Sequence, residues 1–340
     1  MNTLQKTLST LLLLLCISVF GQQIIFQSAR TADPLSKVQV FTESGTLLAT
    51  SDIVGSIDRN EIEPPQDKYI LIYDGYQIAS LNHSDLVKEV IKLNDRVREI
   101  EEVTIKTSDK SKYMIVRGHF NVYMTVNKEL NVYADGIATY TFDNNTRKLK
   151  SAQVEQYRAF STGQDNAELK KTNTFAYEAF LKLPDLENVG RMPEFKEQQK
   201  KYREIKSSGS TKMEFKVQAM ENKTINFFGY RMYDLRYNRT VGFQEESVNL
   251  RDFKEFDEQV FFKFKHKSEP DFHQMIKYAT FVPVAISFSD QVTNTKLKLD
   301  PEKSFYSYEF WKANGFPNMQ PVFAGFFKDK LKEQRNAGRK

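Results

Sequence analysis

The chain has 340 residues, with 49 Lys and Arg against 44 Asp and Glu, for a formal net charge of +5. That mild excess is spread evenly and gives no case for nucleic acid, while a single cysteine leaves no room for an internal disulfide or a thiolate metal cluster. The length suits two domains, and the 27 Phe and 16 Tyr suit β-rich packing, where aromatic rings fill pleated surfaces.

Residues 1–21 read as an export signal. Lys6 supplies the positive start, Leu11 to Phe20 the apolar stretch, and Gly21 a small residue before the polar Gln22-Gln23. About ten apolar residues are too few to span a bilayer, and no later stretch comes closer, so no membrane-spanning segment is expected in the mature chain. Cys16 follows Leu15 rather than a small residue and precedes Ile17, which argues against lipid attachment. Cleavage after Gly21 would remove the only thiol. The chain is therefore expected to be exported, and to be periplasmic or associated with the outer membrane.

Residues 22–107 read as a small β-sandwich. Ile24 to Phe26 opens a strand, and Val38, Val40 and Leu47-Leu48 form short strands joined at Gly45. Pro64-Pro65 is a loop, Tyr69 to Tyr73 a core strand, and Asp74-Gly75 a turn. Val87 to Leu93 and Glu102 to Lys106 supply the last strands. In combination, four places resemble the carboxypeptidase-regulatory-like (transthyretin-like) domain of secreted Bacteroidetes proteins. They are Pro34-Leu35 with Val38 and Val40, the Thr50-Ser51-Asp52 turn before Gly55, Gly75-Tyr76, and Glu101 to Ile105. The resemblance implies an adaptor module without chemistry of its own. Ile57 stands where that family carries an aromatic, and is expected to fill the same core slot. Tyr76 is expected to pack across the sandwich.

Residues 108–340 read as a larger antiparallel β-rich domain with a few peripheral helices. Phe120, Val122, Met124 and Val126 alternate with His119, Asn121, Tyr123 and Thr125, and Tyr133 to Phe142 and Leu149 to Phe160 complete a meander. Asp135-Gly136 marks a bulge or a close approach of backbones. Helices are expected over 195–206 and 321–335, and strands over 213–219, 225–233, 260–264 and 282–288.

No nucleophile elbow, phosphate-binding glycine loop or His-Glu-x-x-His occurs. His266 and His273 flank Pro270 in what reads as a solvated loop, so no metal and no cofactor is expected. Two aromatic clusters remain, around Phe227 to Tyr237 and around Phe305 to Trp311. Phe227 and Phe228 are expected on opposite faces of one strand. Phe228, Tyr230 and Trp311 are the candidate ligand-binding residues, since aromatic rings suit sugars or acyl chains. The leading expectation is a non-enzymatic envelope binding or adaptor protein, taking an apolar ligand, a lipid or an envelope protein partner. The alternatives are an envelope polymer hydrolase with unidentified carboxylates, or a structural subunit of a surface complex that pairs through its edge strands.

Overall fold

The structure, a computed structural model, describes residues 23–95, 104–106, 110–162, 171–172, 175–176, 180–199, 202–207, 209–220, 223–244, 248–292 and 297–338. Residues 1–22, read above as carrying an export signal, the turn at 221–222 and the 96–103 stretch lie outside these residues. The fold is mainly β, with two α-helices among the described residues. The chain divides into two compact units at Val97–Arg98.

The first unit carries β1 (Gln23–Ser28), β2 (Gln39–Thr42), β3 (Leu47–Thr50), β4 (Ser56–Asp58), β5 (Lys68–Tyr73), β6 (Tyr76–Asn82) and β7 (Val90–Leu93). They form a three-stranded sheet, β4-β1-β7, and a four-stranded one, β3-β2-β5-β6. The β1–β7 pair is parallel, an exception to the antiparallel rule elsewhere in this unit. Ile24, Phe26, Ile57 and Ile91 from one sheet join Val40, Leu48, Tyr69 and Leu71 from the other in one buried cluster. Ile57 thus occupies a core position, as its apolar side chain requires.

Two sequence landmarks have clear physical causes. The Ser51 hydroxyl donates to the Leu35 carbonyl (2.7 Å) and accepts from the Val38 N–H (2.9 Å), while the Asp52 carboxylate accepts from the N–H groups of Val54 and Ser56. Gly55 follows with φ +75°, and a Cβ there would lie 2.4 Å from the Phe26 carbonyl oxygen. Only glycine fits. Tyr76 departs from expectation: it starts an edge strand and is 51% exposed rather than packed inside.

The second unit is built on one sheet of 11 strands. Its strands are β8 (Thr104–Lys106), β9 (Tyr113–Val126), β10 (Glu129–Asp143), β11 (Leu149–Ser161), β14 (Arg203–Ser207), β15 (Ser210–Gln218), β16 (Thr224–Phe227), β17 (Tyr230–Gln244), β18 (Phe253–His266), β19 (His273–Ser289) and β20 (Lys332–Glu333). A separate two-stranded ribbon comprises β12 (Lys171–Thr172) and β13 (Phe175–Ala176). The sheet order is β14-β15-β17-β18-β19-β9-β10-β11-β20, with β16 on β17 and β8 on β19. Two meanders therefore join where the last strand of the second, β19, pairs with the first strand of the first, β9.

The sheet coils. Val154 and Tyr157 on β11 and Met213 and Phe215 on β15 stand near opposite ends of the strand order, yet belong to one core with Phe262, Phe264 and Phe281. Register breaks in β10, β17 and β19, one beside Pro283, supply the local bends. The concave side is filled by residues 180–192: Leu181, Leu186, Val189 and Met192 enter the core, and the Tyr140 hydroxyl donates to the Pro184 carbonyl at 2.7 Å.

Both expected helices are shorter than their patterns suggest. Residues 195–206 divide into α1 (Met192–Gln198) and β14, because Arg203 and Glu204 lie opposite Glu214 and Met213 across the β14–β15 pair. The C-terminal helix α2 (Gln320–Phe327) stops before Lys328, whose φ of 33° breaks it, and Lys332–Glu333 pairs with β11. Residues 225–233 are a hairpin rather than one strand, turning at Phe228-Gly229. Phe227 and Phe228 consequently do not face opposite sides of a strand: Phe228 is in the turn. No helix among the described residues is long and apolar enough to cross a membrane.

Candidate functional site

A cleft of about 610 Å³ opens on the concave side of the second unit. Its floor alternates out of three strands. Phe215 and Val217 come from β15, Met232 and Leu235 from β17, and Val260 and Phe262 from β18. The break in register between Tyr233 and Arg236, with Asp234 at φ 59°, adds one residue to β17 and so turns both Met232 and Leu235 toward the cleft. Phe180 and Phe195, the latter from α1, close the other wall. Phe180 packs on Phe262 and Phe264 at ring-centre distances of 5.0 and 5.4 Å, and Phe195 on Phe215 at 5.0 Å.

One part of the lining is charged. Glu258, whose side chain is 2% exposed, accepts from Arg239 Nε at 2.5 Å and lies 3.1 Å from Lys277 Nζ. The same guanidinium reaches Asp185 at 3.2 Å. Two carboxylates and two cations thus satisfy one another, and the exposed Lys182 adds a further positive charge at the rim. Tyr237 lies beneath Arg239, 5.5 Å from ring centre to guanidinium carbon, and burial pushes its phenol above the usual tyrosine range. Each oxygen of Glu258 thus has a cation. Among the described residues no three His, Cys, Asp or Glu side chains converge as a metal site would require.

The candidate aromatics are not brought together. Tyr230 is buried in the main core, stacked on Phe264 at 5.3 Å. Phe228 is at the hairpin tip and 98% exposed. Trp311 packs with Tyr306 and Phe310 against Ile137 and stands 4.1 Å over the Arg158 guanidinium. It serves a second polar centre on the convex side, where Arg158 donates to both oxygens of Asp135 at 2.9 and 2.5 Å and Tyr133 donates to Asp135 at 2.5 Å. Sequence reasoning missed the cleft lining. Val217, Val260 and Phe262 read only as half-buried strand positions, and nothing local says that residues 180–199 return to face them.

Compared with known proteins, the chain matches no family model and no curated protein sequence.

Proposed function

We propose that this is an exported, non-enzymatic envelope binding protein whose second unit takes an amphiphile in the concave cleft. The expected export segment and the three landmarks that fall in the first unit, Pro34-Leu35 with Val38 and Val40, Thr50 to Asp52 before Gly55, and Gly75-Tyr76, support the envelope location and an adaptor role for that unit, as a regulatory-like sandwich. The observation that carries the binding role is the cleft itself. Its volume falls within the roughly 300–1,000 Å³ typical of small-molecule sites, and its lining is mostly apolar with a few placed charges. An acyl or other apolar chain would lie against Phe215, Met232, Val260 and Phe262, with an anionic or zwitterionic head toward Lys182 and Lys277.

Val217 lines the cleft at its open side, 36% exposed, so a larger side chain there fills the site without disturbing the core. Native mass spectrometry of the protein purified from its source should show a bound small molecule. Val217→Trp should lose that molecule while keeping the circular dichroism spectrum and a single cooperative unfolding transition of the second unit. Retention of the same molecule in the filled variant would refute the assignment.

A further inference from the structure

The β16–β17 hairpin departs from ordinary sheet construction in three ways. Its two-residue turn holds Phe228 at φ 47° and Gly229 at φ 84°, a pair of left-handed conformations for which Asn-Gly is the favoured sequence. A phenylalanine there is strained, and this one is 98% exposed, so neither the turn nor the core accounts for it. Ile225, on the same hairpin, is 47% exposed.

Elsewhere in the sheet some cations face carboxylates across neighbouring strands, as in Arg203 opposite Glu214 and Arg239 opposite Glu258. At the hairpin end Arg231 lies directly opposite Lys265, and Lys263 is on the same face two residues on. Like charges in that position are destabilising. Lys267 is adjacent to the tip, its N–H donating to the Gly229 carbonyl at 2.8 Å. Residues 223–235 and 263–273 carry five Lys and Arg against three Asp and Glu. Of those carboxylates Asp234 is held by Arg236 at 3.2 Å, and Glu269 accepts from the His266 N–H at 2.7 Å.

The other face of the hairpin is apolar and continuous with the cleft. Phe227 stacks on Tyr230 (6.0 Å), Tyr230 on Phe264 (5.3 Å), and Phe264 meets Phe180 (5.4 Å), which lines the cleft.

From these observations we infer that the β16–β17 hairpin docks on an anionic lipid surface, with Phe228 entering the acyl boundary and Arg231, Lys263, Lys265 and Lys267 meeting the headgroups. An exposed aromatic tip supplies the apolar part of such binding and the cations the electrostatic part. The aromatic row behind the tip joins it to the cleft wall as one packed apolar face. Docking itself does not depend on the cleft being occupied.

The test is co-sedimentation of the purified protein with vesicles of phosphatidylcholine alone, and of phosphatidylcholine mixed with an equal amount of phosphatidylglycerol. Binding is expected only to the mixed vesicles, weakening as salt is added because exposed charges are screened. Phe228→Asn suits the turn and should leave the melting temperature unchanged or higher, yet bind about tenfold more weakly for the lost apolar insertion. Lys265→Glu with Lys267→Glu should weaken binding by at least about 25-fold, since each cation near such a surface is worth roughly a factor of five. Equal binding to both vesicle types, no binding to either, or unchanged binding by the folded Phe228→Asn variant would overturn the inference. Native mass spectrometry on Phe228→Asn separates the two ideas: a cleft ligand retained without vesicle binding isolates docking. Vesicle binding by a wild type whose cleft is empty leaves docking standing and removes the cleft assignment.

Discussion

Arg158 takes a full positive charge beneath the C-terminal segment, where burial opposes that charge. The hydrogen bonds and field of Asp135 outweigh the opposition and hold the guanidinium above its ordinary range. Trp311 covers one side of it, and Asn318 accepts from it at 3.3 Å. A buried pair of this kind is exposed to the loss of either partner, because the survivor is left charged and unpaired. Asp135→Asn should therefore cost about 3–5 kcal/mol of stability, read as the denaturant midpoint of the second unit. A loss below about 1 kcal/mol would mean that water reaches Arg158 and that the C-terminal cover is loose.

The buried phenols set a direction at high pH. Tyr133 is raised well above the usual tyrosine range by burial and then by Asp135, and Tyr140 by burial and then by Asp185 and Glu258. Above about pH 10 the unfolded chain gives up these protons and the native protein keeps them. The unfolded state then binds fewer protons, so stability present below that pH declines as pH rises further. Denaturant titrations on either side of pH 10 should show the decline, and Tyr140→Phe should make it shallower. An identical slope in the variant would contradict the assignment.

At the scale of elements, the C-terminal segment acts as a cover for the convex face. Phe316 meets His119 at 4.9 Å, the Pro317 carbonyl accepts from Asn121 at 2.8 Å, and Phe323 on α2 meets Tyr123 and Tyr133 at 5.2 and 5.4 Å. The mixed face of β9 seen in the sequence is thereby buried, and Asn121 finds its hydrogen-bond partner in the cover. The crossing of β10 and β11 behaves as the Asp135-Gly136 pair suggested. A Cβ on Gly136 would lie 2.2 Å from the Gln156 carbonyl oxygen and 2.8 Å from the Phe120 ring. Gly136→Ala should cost about 1–3 kcal/mol, measured by equilibrium unfolding. A neutral substitution would show that the two strands part more easily than their register implies.

Strands with strict alternation, such as 213–217 and 120–126, were legible because period-two patterning reports a buried face directly. The helices were legible only in part. FKEQQKKYREIK has helical composition, but its second half gains a neighbouring strand, and tertiary pairing decides such segments. The hairpin at 228–229 was hidden because its turn uses Phe where sequence rules look for Asn or Asp. For the same reason the candidate site was half legible: Phe228 and Tyr230 stood out as aromatics, but their division into an exposed tip and a buried stack depends on that turn. The cleft lining depends on residues 180–199 folding back, a long-range event with no local signature.

Across the whole molecule, the two units are built differently. The first packs two small sheets around one core with tight glycine and Asx turns. The second coils a long sheet around an inserted segment, yet leaves an apolar cleft with charges at one side.

Native mass spectrometry of the protein as purified from its source shows whether the cleft holds an amphiphile. The expected result is a non-covalent adduct that carries an apolar chain and is released by organic solvent, present in the wild type and lost in Val217→Trp. A wild-type protein that emerges at its bare mass, with a cleft that takes up no added acyl chain, would contradict it.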